Sequence, residues 1–336
     1  MWQAYLLLFY FTLIFGSLTA ITSNSWFITW TGLEINLLAL MPIMSQLNNK
    51  QSAEATIKYF LIQAMASAMF IFGSIYLAMI QTNSIMVENI SSMIVCMALA
   101  LKMGAAPFHF WLPEVVSGSD WKISFIILTW QKLAPMAIIY FMTPSTLLMS
   151  IIILVSSIVS GIQGLNQTCL RKIMAYSSIS HTSWMIAAIM NSLALWIFYF
   201  TIYFIINAIL ITMLHKYNMN NILQMTKLFS NNKTLKFLFM LNFLSLGGLP
   251  PFSGFLSKWL VIMSLVENKF YLLTTMLIIF TLITLYFYIR IVMTTFSLNM
   301  QESMTIFFKK MGYFYIMMNT ISLMILLISV FMTNYL

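Results

Sequence analysis

The chain has 336 residues, of which 61% are hydrophobic and only 7% charged. A soluble domain carries roughly 25% Asp, Glu, Lys and Arg, so this composition cannot clothe a water-facing surface, and the soluble enzyme classes are excluded. The formal net charge of +9 is spread one or two bases to a loop, without the dense basic face that nucleic-acid binding uses.

The apolar runs are long and continuous, which predicts helices rather than barrel strands of about ten residues with alternating polarity. Polar breaks divide them into expected spans at 2–22, 25–45, 54–80, 90–116, 121–141, 146–164, 171–190, 193–215, 235–266, 270–294 and 311–332. That is about eleven crossings at the length a bilayer demands, and the expected fold class is an all-α polytopic membrane protein.

The fourth and ninth spans are interrupted by Gly104-Ala105-Ala106-Pro107-Phe108 and Gly248-Leu249-Pro250-Pro251-Phe252. Proline lacks an N–H and clashes with the preceding turn, so each stretch should break its helix and free backbone carbonyls at membrane depth. Broken helices in corresponding positions point to inverted repeats with an ion path at their interface. The alternative is a pair of packing kinks. The repeat reading divides the single transmembrane domain into five-helix halves, 1–142 and 143–296, with a C-terminal helix in 297–336 and discontinuous helices fourth and ninth in order.

Lys and Arg in short loops mark the side of synthesis. The breaks after even-numbered spans hold Lys50, Lys122, Arg171, Lys172, Lys216, Lys227, Lys233, Lys236, Lys309 and Lys310, against Lys269 alone after the odd-numbered ones. This places the N-terminus inside and, with an odd number of spans, the C-terminus outside. Met1-Trp2-Gln3-Ala4 offers no basic leader or cleavage site, an expectation of bacterial or organelle-encoded origin.

Metal and nucleotide chemistry find no motif. Cys96 and Cys169 lie far apart without a Cys-x-x-Cys partner, and the three histidines are not spaced as haem ligand pairs. No phosphate-binding glycine loop is present.

Most charged residues sit in loops or at span ends, where they can reach water; Glu54 and Lys58, at i, i+4, read as a surface pair. Glu34, Lys102, Lys132 and Lys258 fall at membrane depth instead. Each should cost at least about 2.5–3.5 kcal/mol near the bilayer centre. One glutamate cannot neutralise three lysines, which argues against purely structural pairing. Burial and like charge weaken a lysine's hold on its proton, and an opposite charge strengthens it, so movement of Glu34 relative to Lys102 would release and reload a proton. His181, within the hydroxyl-rich stretch Tyr176–Ser183, reads equally as a relay group beside ordered water or as packing. His109, at the first break, can also serve simply to satisfy a freed carbonyl.

Four motifs carry a resemblance. Thr31-Gly32-Leu33-Glu34-Ile35-Asn36, the stretch from Lys102 to Glu114, Trp130-Gln131-Lys132-Leu133-Ala134-Pro135, and Gly248 through Lys258-Trp259 resemble, in that order, the mitochondrial NADH:ubiquinone oxidoreductase chain 2 family, antiporter-like membrane subunits of respiratory complex I. The resemblance runs through nearly the whole chain and implies two inverted five-helix repeats. It also implies a proton relay in which Glu34 pairs with Lys102, Lys132 continues the axis and Lys258 leads to the outlet. Bacterial relatives resemble a fourteen-helix plan, so this chain resembles the shortened animal form, that of an arthropod.

The resemblance further implies that NADH, FMN, iron–sulfur clusters and ubiquinone belong to the parent complex, with no cofactor or metal bound by this chain. It implies neighbouring membrane-arm subunits (chains 4 and 4L), accessory subunits and phospholipids, including cardiolipin, as partners. The location is then the mitochondrial inner membrane, with the N-terminus in the matrix and the C-terminus in the intermembrane space. A cation/proton antiporter subunit and a non-pumping scaffold are the competing readings.

Overall fold

A computed structural model describes residues 2–45, 49–79, 85–142, 144–222, 224–225, 233–250 and 252–297, together with Met317 and Thr320. The span expected at 311–332, most of the C-terminal element 297–336, and Lys227, Lys309 and Lys310 lie outside them. The described residues are helical throughout, with one isolated bridge between Cys169 and Asn221. Among the described residues seven stretches are long and apolar enough to cross a membrane, one of them Trp121–Met142, which spans two consecutive helices. The chain divides into two compact units between Ser156 and Ser157.

The first unit holds α1 (Trp2–Thr22), α2 (Trp26–Met44), α3 (Lys50–Met79), α4 (Ile85–Met103), α5 (Trp111–Gly118), α6 (Trp121–Leu128), α7 (Trp130–Met142) and the start of α8 (Thr146–Leu165). Ser25 caps α2 by accepting from the N–H of Ile28, the usual role of a serine at a helix start. Helices α1 and α2 cross at two glycines: a Cβ on Gly16 would lie 2.9 Å from the carbonyl of Gly32, and one on Gly32 would lie 2.8 Å from the carbonyl of Gly16. Small residues permit this approach because lipid tails give helices no hydrophobic reason to associate, leaving close backbone packing to hold them together. Helix α3 packs on α2, α4 and α5, and α7 on α1, α4 and α6.

The second unit holds the rest of α8, then α9 (Leu170–Asn191), α10 (Leu193–Lys216), α11 (Lys233–Gly247), α12 (Ser253–Glu267) and α13 (Tyr271–Ser297). Helix α10 packs on α9, α11 and α12, and α13 on α9, α11 and α12. Gly161 and Gly164 of α8 lie against Ile283 and Phe287 of α13. The Arg290 guanidinium donates to the carbonyls of Leu165 and Gln167, placing a cation on the negative end of α8.

Apolar side chains cover the outside as well as the core, while polar side chains are drawn inward. Leu7, Phe11, Phe27, Phe72, Leu272 and Leu282 are exposed, whereas Asn36, Gln63, Lys132, His181 and Asn207 are buried. A protein solvated by hydrocarbon gains nothing by hiding leucine and must hide its polar groups.

Both interrupted spans break where proline and glycine were expected to break them. The end of α4 and the end of α11 are built alike: Gly104 (φ 71°) and Gly248 (φ 80°) adopt the left-handed conformation that favours glycine. The next N–H reaches back five residues in each case, from Ala105 to Ala100 and from Leu249 to Leu244, as in a Schellman helix end. The following turn is also shared, Phe108 donating to Ala105 and Phe252 to Leu249, both at 3.0 Å. The fifth span, expected to be continuous at 121–141, is broken as well. It divides into α6 and α7 at Thr129, whose N–H and hydroxyl both donate to the carbonyl of Phe125.

Candidate functional site

In the first unit the site is built around the end of α4. Lys102 is 5% exposed and Lys132 fully buried. A cavity of about 10 Å³, room for a single water, is lined by Leu33, Asn36, Leu37, Tyr59, Gln63, Lys102, Gln131 and Pro135. Helices α2, α3, α4 and α7 therefore each bring a polar side chain to one point. Two neutral donors satisfy the carbonyls at the end of α4: Gln63 Nε2 donates to Lys102 at 3.2 Å and the Trp111 indole to Leu101 at 3.1 Å. Gln131 Nε2 donates to Asn36 Oδ1 at 2.9 Å, joining α7 to α2 on the cavity wall.

Glu34, on α2, acts electrostatically on both Lys102 and Tyr59. Its Oε1 is buried without a hydrogen-bond partner among the described residues. Lys58 closes on Glu54 at 2.7 Å and on Glu114 at 2.8 Å, whereas Glu34 and Lys102 form no ion pair within 4.0 Å. The expected Glu34–Lys102 pair is thus an interaction across a gap rather than a closed contact.

Lys132 follows the Thr129 break, and its N–H donates to the Thr129 carbonyl at 3.2 Å. Pro135, inside α7, has no N–H to offer the carbonyl of Gln131. The backbone is thereby loosened on both sides of the lysine.

In the second unit Lys258, 8% exposed on α12, turns back over the break. Its Nζ donates to the carbonyls of Gly247 at 2.9 Å and Leu246 at 3.3 Å. His181 is buried, with Nδ1 2.8 Å from the hydroxyl of Tyr199 and its ring 4.9 Å from that of Tyr203. The hydroxyls near it are committed locally: Ser177, Ser178, Ser180, Thr182 and Ser183 donate to carbonyls three residues earlier in α9. They leave acceptor lone pairs toward the cluster and spend their protons on their own helix. His109 is buried in the first break and donates from Nδ1 to the Pro107 carbonyl at 3.3 Å, which matches the local role.

The structure thus sets Lys102 on a small cavity with Glu34 interacting from outside its lining, leaves Lys132 buried on the adjacent α7, and places Lys258 and His181 in separate settings of the second unit. A search for charges alone passes over Gln63, Asn36, Gln131, Tyr59, Tyr199 and Asn207. The usable signal was an amide at mid-span, because an uncharged polar group at membrane depth also has to find a partner. Glu114 bridges to Lys58, joining α5 to α3 beside Glu54.

Residues 23–284 match the family described as NADH:quinone oxidoreductase/Mrp antiporter, transmembrane. The NADH-ubiquinone oxidoreductase chain 2 of Anopheles gambiae is 43% identical over 88% of this chain and 87% of its own length. That of Locusta migratoria is 44% identical over 85% and 83%. The chain belongs to the NADH-ubiquinone oxidoreductase chain 2 family.

Among solved structures, a chain of respiratory complex I from Thermus thermophilus with bound aureothin shares the fold at a TM-score of 0.88 and 20% identity, covering 98% of this chain and 79% of that one. A chain of the Mrp complex from Dietzia shares it at 0.73 and 16%, covering 84% and 59%. For a chain 2 family member, the buried lysines beside helix breaks are the feature that calls for a function. Family membership and an all-helical membrane fold therefore stand together.

Proposed function

We propose that the chain is a proton-translocating membrane-arm subunit of NADH:ubiquinone oxidoreductase in the mitochondrial inner membrane. Its relay comprises Glu34, Lys102 and Lys132 in the first unit and Lys258 in the second, with His181 as a further relay group. NADH oxidation and ubiquinone reduction belong to other subunits of the complex, with their FMN and iron–sulfur clusters, and this chain moves protons from matrix to intermembrane space in response. The two halves 1–142 and 143–296 act as inverted repeats, the N-terminus faces the matrix and the C-terminus the intermembrane space. Neighbouring membrane-arm and accessory subunits and cardiolipin contact its outer faces.

The observation that carries this reading is the open geometry between Glu34 and Lys102. A structural ion pair would close, because two buried charges gain most at contact. A pair held apart, with a water-sized cavity against Lys102 and an unpartnered Oε1 on Glu34, can instead exchange protons through water, and small movements of α2 or α4 would change the interaction sharply in a low-dielectric interior.

Replacing Lys102 with Met in the assembled complex tests the proposal, with proton pumping and NADH:quinone turnover as readouts. Both should fall; normal turnover with normal pumping stoichiometry would remove Lys102 from the relay. A second reading, a cation/proton antiporter subunit, draws on the shared fold of the Mrp complex chain. Pumping that depends on sodium or potassium, rather than on NADH:quinone turnover, would favour it.

A further inference from the structure

The two broken helices end alike in backbone geometry, but different groups satisfy them. In a helix the carbonyl of residue i accepts from the N–H of residue i+4. Leu246 and Gly247 close α11, and the chain turns out of the helix at Gly248 (φ 80°), so no helical N–H follows to meet their carbonyls. Away from water, two adjacent carbonyls without donors are strongly unfavourable.

Lys258 Nζ fills both positions, at 3.3 Å from Leu246 and 2.9 Å from Gly247. Its path is prepared by two glycines. The side chain lies over bare Gly248, where a Cβ would come within 2.9 Å of its Cδ and 3.0 Å of its Nζ. Gly254 abuts the Ser245 carbonyl so closely that no side chain fits between α11 and the start of α12. At the first break Gln63 and Trp111 do the corresponding work, so Lys102 is not needed there.

We infer that Lys258 is the C-terminal cap of α11, satisfying the two carbonyls that the helix end leaves without backbone donors, so that loss of its proton loosens the end of that half-helix. An ammonium binds the negative end of a helix more tightly than a neutral amine, through the helix dipole and through charge-assisted hydrogen bonds. Charge on Lys258 and order at the end of α11 therefore rise and fall together. The bearing of this coupling on transport rests on the relay reading above.

Amide hydrogen exchange over residues 244–248, measured in the assembled complex, tests the cap. Lys258→Met should speed exchange there by roughly ten- to a hundredfold, the range for losing hydrogen bonds to a charged group. Lys258→Gln, neutral but carrying N–H donors, should recover part of the protection. If Lys258→Met does not assemble, Lys258→Gln, which keeps donors, should.

Unchanged exchange in Lys258→Met, or failure of Lys258→Gln to recover protection or assembly, would overturn the cap. Proton pumping by the same variants is a separate readout. Normal pumping in Lys258→Gln would remove Lys258 from the relay and leave the cap standing, whereas lost pumping with unchanged exchange would do the reverse.

Discussion

Gln63, on α3, donates to the carbonyl of Lys102, on α4, at 3.2 Å, so a neutral amide satisfies the helix end that carries a buried lysine. The ammonium of Lys102 is thereby left to face the cavity and Glu34 instead of its own backbone. Replacement of Gln63 by Leu should orphan that carbonyl at a cost of about 1–3 kcal/mol. It should appear as a lower melting temperature of the complex, accompanied by slower coupled turnover if Lys102 swings back to the vacant acceptor.

Glu34→Gln keeps the shape of the side chain and removes its charge. Assembly should persist while coupled turnover falls roughly tenfold or more, in line with removal of a positioned proton-transfer group. Failure to assemble would instead identify Glu34 as a structural partner of Lys102.

At the α1–α2 crossing, a Cβ on Gly32 would meet the N of Ala20 at 2.7 Å and the carbonyl of Gly16 at 2.8 Å. These are backbone atoms and cannot turn aside. Gly32→Ala should therefore push α1 away from the helix that carries Glu34, costing about 1–3 kcal/mol. The amount of assembled complex recovered from membranes measures it.

Two glycine replacements separate conformational need from simple space. Gly104 has φ 71° and a Cβ there would lie 2.6 Å from Leu112 Cδ1, so Gly104→Ala should cost at least about 1–2 kcal/mol from the left-handed backbone alone. Gly161 is helical with its nearest neighbour, Ile283 Cγ2, at 3.4 Å. Gly161→Ala should be tolerated, or stabilise by up to about 1 kcal/mol. Thermal denaturation of the two variants side by side should rank them in that order.

Lys58 bridges Glu54 and Glu114 with all three side chains substantially exposed. Exposed pairs are screened by salt. Lys58→Met should lower the melting temperature only slightly, and the difference should shrink further as ionic strength rises.

Much of the site was legible because charge is so scarce: Lys102, Lys132, Lys258 and Glu34 are conspicuous in an apolar sequence, and Gly104 and Gly248 mark their breaks. The Thr129 break was not legible, since threonine is ordinary in a membrane helix and nothing local announces that its hydroxyl will share the Phe125 carbonyl with its own N–H. The cavity wall was equally hidden. Asn36, Gln63 and Gln131 meet only because α2, α3 and α7 converge on α4, a relation between residues as far apart as 95 positions in the chain.

By itself the sequence determined that the chain is helical and lipid-solvated, where two of its helices must end, and which charges lie too deep to reach water. Those follow from local chemistry: hydropathy over a span length, the missing N–H of proline, and the freedom of glycine. Only the tertiary structure decided that Glu34 stops short of Lys102, that Gln63 and Trp111 cap one break, and that Lys258 caps the other. Each depends on which donor another helix or half-helix brings to an unsatisfied carbonyl, and that competition is settled by packing in three dimensions.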